Sequence, residues 1–152
     1  MDIKLIAVGK VKEEYFRNKI DELKDKINAR HRYNINIIEV PDESIPEKQS
    51  ETVLENIKNK EGKKILSKIE KKDYVVALCI DGKSTDDSKL FELIKRAESD
   101  YKTSFVLVIG GSLGLSDEVI KRADYKLSIS GMTFPHQLMR VVILEILYNI
   151  FL

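Results

Sequence analysis

Apolar and polar positions follow two alternating periodicities along the whole chain. Five short apolar runs predict β-strands. Between them, apolar residues recur every three or four positions, which is typical of amphipathic helices. The predicted strands cover residues 3–8, 35–40, 74–80, 104–109 and 125–129, and the predicted helices begin near Phe16, Ser50, Thr85 or Asp86, Ser116 and Pro135. Strands that alternate with helices predict an α/β fold with a mainly parallel sheet and helices on both faces.

The second predicted helix is long and rich in charge. It extends from Ser50 to about Ile69, with its apolar residues on one face. Gly62 lies inside this pattern, and glycine costs a helix about 1 kcal/mol relative to alanine. The helix is therefore expected to be weakened at Gly62, which is a candidate position for a break.

The most apolar part of the chain is its C-terminal stretch, residues 141–152, which Glu145 interrupts. A helix that spans a membrane needs about 20 apolar residues, and this stretch is shorter. It therefore predicts a buried helix, and no membrane partner is expected.

The composition is that of an ordinary globular domain. The 152 residues are 43% hydrophobic and 34% charged, which excludes a disordered tail or a low-complexity scaffold and predicts a single domain over residues 1–152. The formal net charge of +1 argues against strong nonspecific binding to nucleic acid. The basic turn formed by Arg30, His31 and Arg32 is expected to be solvated, with a weak RNA contact as the alternative.

The numbers of cysteines and histidines indicate the cellular compartment and limit the metal sites that the chain could form. Cys79 is the single cysteine, so no disulfide within the chain is expected, and a reducing cytoplasm is the default location. Its place in the apolar run 75–80 predicts a buried core residue. One cysteine and two distant histidines are too few ligands for a zinc site, so no metal is expected.

Two loops that follow predicted strands are candidates for ligand binding. Gly110–Gly114 follows the fourth strand and Ser130–Phe134 follows the fifth. Ligands of open parallel sheets bind beyond the carboxyl ends of the strands, and glycine lets the backbone approach a ligand closely. The first loop carries neither a dinucleotide fingerprint nor a Walker A motif, which disfavours phosphoryl transfer. The alternative is that each glycine serves only a tight turn.

His136 and Arg140 are the candidate side chains of the last helix. They lie four residues apart and therefore share one helical face. We expect them to point towards the 130–134 loop or across a subunit interface. The alternative for His136 is a hydrogen-bonded structural histidine.

Three motifs together resemble one enzyme family. The segments Ile6–Lys10, Ile109–Leu115 and Met132–Val141, the last containing Thr-Phe-Pro-His, are similar to the large-subunit ribosomal RNA methyltransferase H family of the SPOUT superfamily. Ile38–Glu43 also fits this pattern. The resemblance implies one SPOUT methyltransferase domain, an α/β fold with a C-terminal trefoil knot, a homodimer and S-adenosylmethionine as the cofactor.

The resemblance also implies a substrate and a site. Members of the family methylate N3 of pseudouridine 1915 in the helix 69 loop of 23S ribosomal RNA within assembled 70S ribosomes. The family's cofactor contacts correspond here to Leu78, Gly110, Ile129, Ser130, Gly131, Met132, Thr133 and Phe134. His136 and Arg140 are the expected catalytic residues, with Arg140 binding an RNA phosphate or steadying negative charge on the uracil ring.

An alternative function rests on the C-terminal sequence. Family members usually continue past the last helix into a short tail that ends near a Gly-x-x-Tyr-His pattern. The present sequence ends at Leu152, and residues 144–151 lack the Gln and Arg expected near Tyr148. The alternative is therefore a dimeric homologue that binds S-adenosylmethionine without turnover.

Overall fold

Strands and helices alternate along the chain, as the sequence predicts. The computed structural model describes residues 1–84, 87–129 and 135–151, without the side chains of 80–84 and His136. Within these ranges the elements are β1 (Asp2–Val8), α1 (Glu14–Asn28), β2 (Asn34–Val40), α2 (Glu51–Leu66), β3 (Tyr74–Ser84), α3 (Asp87–Ser99), β4 (Ser104–Ile109), α4 (Asp117–Arg122), β5 (Tyr125–Ser128) and α5 (His136–Ile150). Thr85 and Asp86, the predicted caps of α3, lie outside the described residues.

The five strands form one sheet in the order β2-β1-β4-β3-β5. Each neighbouring pair is parallel, which confirms the expected parallel sheet. All carboxyl ends therefore lie at one edge of the sheet, and all amino ends lie at the opposite edge.

Helices cover both faces of the sheet, because side chains of a strand alternate between its two faces. Ile3 and Leu5 of β1 pack in a core cluster that includes residues of α1, α3 and α5. Ile6 and Val8 of the same strand pack in a second cluster, with Ile65 of α2 and residues of α4. The predicted layers are confirmed. The strand β4 is buried along its whole length, as its uninterrupted apolar run predicts.

The helix α2 continues through Gly62 without a break and ends at Leu66, earlier than the predicted Ile69. A break at Gly62 is therefore a wrong prediction. A Cβ at this position would overlap Ser116 Oγ, so glycine permits the close approach of α2 and α4. Ser116 caps α4 as predicted, because its Oγ accepts a hydrogen bond from Val119 N at 3.3 Å.

Three smaller predictions have mixed outcomes. Cys79 packs against one core cluster, as predicted, but is half-buried rather than buried. His31 is exposed, as expected for the basic turn. The apolar C-terminal stretch forms α5, which buries Ile143, Leu144 and Leu147. In the part of the chain that the structure describes, no helix has the length and apolarity needed to cross a membrane.

Candidate active site

The carboxyl edge of the sheet brings together the predicted cofactor residues that the structure describes. Gly110 follows β4 directly, Ile129 follows β5, and Leu78 lies in β3 between these two strands. Leu78 is the register partner of Leu127 in β5. Leu78 and Ile129 are half-buried and pack on the core beneath the edge. Three positions that are distant in sequence therefore lie on neighbouring strands.

The remaining predicted residues belong to the segment between β5 and α5. Ser130, Gly131, Met132, Thr133 and Phe134 lie outside the described residues. His136 is the first residue of α5, and its side chain is not described either. Their cofactor and catalytic roles stay predictions.

The loop after β4 is a tight turn that depends on its glycines. Gly114 N donates a hydrogen bond to Gly111 O at 3.0 Å, and Gly114 has a φ of +83°, which favours glycine. A Cβ on Gly110 would lie 2.8 Å from the Gly114 carbonyl carbon. No side chain fits there without moving the turn. The turn by itself therefore accounts for Gly110 and Gly114, and the cofactor role of Gly110 stays a prediction.

Arg140 is buried and joins α5 to the carboxyl ends of β1 and β2. Only 1% of its surface is exposed. Its Nη2 donates to Val8 O and Gly9 O, both at 2.9 Å, and its Nη1 lies 2.8 Å from Glu39 Oε2. The same carboxylate oxygen accepts a hydrogen bond from Val11 N at 3.1 Å. Arg140 and Glu39 thus hold the chain that leaves β1.

Two opposing effects act on the pKa of Arg140, its burial and its ion pair with Glu39. Burial lowers the pKa of the guanidinium, and the hydrogen bond and charge of Glu39 oppose that change. Its Nε is buried without a partner among the described residues. Both terminal nitrogen atoms point into β1 and β2 rather than to an open surface. A contact with RNA would therefore require a rearrangement of these bonds, and the predicted catalytic role stays a prediction.

Glu61 is a buried carboxylate on the opposite face of the sheet. It is 5% exposed, and its Oε2 accepts a hydrogen bond from Glu43 N at 3.0 Å. Burial raises the pKa of Glu61, although the Glu43 hydrogen bond acts in the other direction. A cavity of about 240 Å³ opens beside it, lined by Val8, Asp42, Glu43, Ser44, Ile45, Glu61, Gly111 and Ser112. The bond from Glu43 fixes the loop that forms one wall of this cavity.

A second cavity of about 240 Å³ lies between α1, β2 and α5. Its lining residues include Arg17, Lys24, Glu39 and Arg140. Pockets for small molecules usually have volumes of about 300–1,000 Å³, so neither cavity alone is of ordinary cofactor size. In the described ranges, no group of three or more His, Cys, Asp or Glu residues could hold a metal ion.

Glu39 and Glu61 are the two structurally important residues that the sequence reading missed. Glu39 is the single acid in the apolar run Ile37–Val40, a local signal for a paired carboxylate. Glu61 precedes Gly62, and a glycine inside a helix indicates close packing on that side. Neither signal identifies the partner.

Comparison with known proteins places this geometry in a family. A family model described as "Predicted SPOUT methyltransferase" matches residues 1–152. The chain belongs to the SPOUT methyltransferase family. A Clostridioides difficile (strain 630) protein named "Ribosomal RNA large subunit methyltransferase H" is 48% identical over 149 residues, which cover 98% of this chain and 92% of that protein.

Two further relatives of this SPOUT methyltransferase carry the same name. The Clostridium novyi (strain NT) protein is 49% identical, over 98% of this chain and 92% of the relative. The Bacillus pumilus (strain SAFR-032) protein is 47% identical, over 99% of this chain and 94% of the relative. Membership of the family implies the knotted α/β fold and methyltransferase activity. It confirms the family resemblance that the three motifs carry.

SPOUT methyltransferases generally use S-adenosylmethionine, and the described residues fit such a ligand. Gly110 lies at the end of β4, the half-buried Leu78 lies on the neighbouring strand β3, and the half-buried Ile129 follows β5, the next strand of the sheet. Backbone polar groups beside apolar side chains suit a purine ring with polar substituents.

Proposed function

We propose that this chain transfers a methyl group from S-adenosylmethionine to 23S ribosomal RNA. The proposed target is N3 of pseudouridine 1915 in the helix 69 loop of assembled 70S ribosomes. The observation that carries the proposal is the match of nearly the whole chain to relatives named for this class of reaction. The gathering of Leu78, Gly110 and Ile129 at one sheet edge supports it. The proposed location is the cytoplasm, where ribosomes are.

The proposed cofactor site combines that edge with the segment that follows β5. Leu78, Gly110 and Ile129 are the proposed contacts at the sheet edge, and the family resemblance adds Ser130, Gly131, Met132, Thr133 and Phe134 as further proposed contacts. S-adenosylmethionine, when bound, supplies an electrophilic methyl group on its sulfonium. The residues of this chain must exclude water from it and align the uracil ring with it.

His136 and Arg140 are the proposed polar residues of the reaction. His136 follows the cofactor segment after Pro135, and an imidazole is a common general base, suited to accept the N3 proton. With the hydrogen bonds that it makes in this structure, Arg140 is a positioning residue that fixes the ends of β1 and β2. A direct contact with the RNA would add a catalytic role.

A homodimer is part of the proposal. Leu138 and Val142 lie four residues apart on α5 and are half-buried. Neither belongs to the two core clusters formed by the described residues. A second copy of the chain packed on this face of α5 would cover them. Light scattering should give the mass of a dimer, and Val142→Glu should give a monomer, whereas Asn59→Asp on the exposed face of α2 should leave the dimer intact.

The substrate is tested by transfer of a labelled methyl group. The chain is incubated with labelled S-adenosylmethionine and with 70S ribosomes, 50S subunits or deproteinised 23S RNA. Label that appears in 23S RNA, and most rapidly with 70S ribosomes, is the expected result. Label absent from all three substrates would contradict the proposed function, and equal label on deproteinised RNA would contradict the preference for assembled ribosomes.

A further inference from the structure

Tyr101 occupies a position where glycine is the usual residue. Helix α3 ends with a hydrogen bond from Tyr101 N to Glu98 O and another from Lys102 N to Ala97 O, both at 3.0 Å. This pair of bonds defines a Schellman motif, whose left-handed residue is most often glycine. Tyr101 has a φ of +55°. A tyrosine therefore bears a conformational cost that glycine would avoid.

Packing of the Tyr101 side chain does not offset this conformational cost. Tyr101 is 92% exposed, and an aromatic ring left in water contributes little to the core. A residue that breaks a local rule without a structural gain points to a role outside the fold. The adjacent charge indicates what that role is.

A lysine-rich turn lies beside Tyr101. Thr103 N donates a hydrogen bond to Lys72 O at 3.0 Å, which joins the turn before β4 to the turn before β3. Lys71 and Lys72 are exposed and Lys102 is half-buried. An exposed aromatic ring beside several lysines is typical of a surface that stacks on an unpaired base and contacts neighbouring phosphates.

The acidic neighbours do not cancel this charge. The same two turns carry two exposed acids, Asp100 and Glu70. They carry four lysines, which are Lys68, Lys71, Lys72 and the half-buried Lys102. Asp73, in the turn before β3, is buried and faces Lys4, with 3.7 Å between Asp73 Oδ2 and Lys4 Nζ. Among the exposed side chains of these two turns, lysines therefore outnumber acids.

We propose that Tyr101, Lys71, Lys72 and Lys102 form a second RNA-binding surface that stacks on an unpaired base of ribosomal RNA. The surface lies at the amino edge of the sheet, opposite the candidate cofactor residues. A strand of six residues separates the two edges by about 20 Å. This surface therefore anchors the ribosome and does not take part in methyl transfer. The inference rests on the proposed function for the identity of the RNA.

Tyr101→Gly is a sharp test because glycine suits the backbone of this position. The variant should fold with an equal or higher melting temperature, so that any loss of binding cannot result from unfolding. Its affinity for 70S ribosomes, measured by co-sedimentation, should fall by about five- to 150-fold, the loss expected for one base stack. Tyr101→Phe keeps the ring and should bind as the parent does. Tyr15→Ala removes another exposed tyrosine, 74% exposed, and should have no effect.

Cross-linking identifies the partner. A photoreactive phenylalanine analogue in place of Tyr101 should cross-link to ribosomal RNA. Unchanged affinity of Tyr101→Gly would overturn the proposal, as would a loss of affinity in Tyr101→Phe equal to that in Tyr101→Gly. Cross-links to ribosomal proteins alone would overturn it in favour of a protein partner.

Binding and methyl transfer are measured separately, so the two proposals can fail separately. Where the parent transfers methyl groups, Tyr101→Gly should raise KM for ribosomes and leave kcat unchanged. Binding that depends on Tyr101, in a parent that transfers no methyl group, would support the RNA surface and contradict the proposed function.

Discussion

Arg140 of α5 and Glu39 of β2 form an ion pair with 2.8 Å between Nη1 and Oε2. The pair connects the last helix to an edge strand of the sheet, 101 residues earlier in the chain. Through its second terminal nitrogen, Arg140 also holds Val8 O and Gly9 O at the end of β1. The carboxyl edge that carries the candidate site is thus tied to the helix that carries His136.

Arg140→Met should lower the free energy of unfolding by about 2–3 kcal/mol, because two buried carbonyl groups and a carboxylate lose their donor. Urea denaturation measures the change. Lys26→Met is the matched control, since Lys26 and Glu22 form an exposed ion pair at 2.9 Å that contributes little. An equally small effect in both variants would contradict the structural role of Arg140.

Glu61→Gln should show that the buried carboxylate of Glu61 lowers the stability of the protein in a pH-dependent way. Burial raises the pKa of Glu61 in the folded state, so the folded protein binds this proton more tightly than the unfolded chain does. The contribution of Glu61 to stability is therefore lost as the pH rises from the ordinary pKa through the folded one. The parent should lose stability relative to Glu61→Gln as the pH rises above the ordinary pKa of a glutamate.

Glu43→Gln is the control of opposite sign. Lys64 Nζ lies 2.8 Å from Glu43 Oε1 and lowers the pKa of Glu43. The stability that Glu43 contributes is present above its ordinary pKa and is lost as the pH falls through the folded pKa. The urea midpoints of the parent and both variants, measured from pH 3 to 8, test the two predictions. A difference in midpoint between the parent and Glu61→Gln that does not vary with pH would refute the prediction for Glu61.

Gly62→Ala should destabilise the protein by about 1–3 kcal/mol, although alanine is the better helix former. The added Cβ meets Ser116 Oγ across the contact of α2 and α4. Asn59→Ala, at an exposed position of α2, should be neutral or slightly stabilising. In a double-mutant cycle, Ser116→Gly should recover part of the loss, since it removes the atoms that clash. Additive effects would show that the contact is not the cause.

Leu78→Ala should weaken the binding of S-adenosylmethionine by about five- to 30-fold, because part of the apolar wall at the sheet edge is removed. Calorimetry with the folded variant measures the affinity. Cys79→Ala is the matched control, since Cys79 is half-buried one residue further on, where it packs on the opposite core cluster. Equal affinities of Leu78→Ala and the parent would remove Leu78 from the proposed site.

The alternation of apolar runs made the layered parallel sheet predictable, down to strand ends within a few residues. The partners of Arg140 were not predictable, because Val8 and Gly9 are 132 and 131 residues away and local periodicity says nothing about such contacts. The burial of Glu61 was not predictable either, since its carboxylate is held by the backbone of Glu43 in a distant loop. The continuity of α2 through Gly62 was not predictable, because helix propensity takes no account of the neighbouring helix α4. The three family motifs, rather than any spacing of catalytic residues, led to the methyltransferase assignment.

The most direct test of the account is the identity of the modified nucleoside. The chain is incubated with S-adenosylmethionine and with 70S ribosomes that lack the methyl group, either with or without pseudouridine 1915, and the digested 23S RNA is analysed by mass spectrometry. The account predicts N3-methylpseudouridine at that position, formed only on ribosomes that carry the pseudouridine. Its absence, or a methyl group on another nucleoside, would contradict the proposed function.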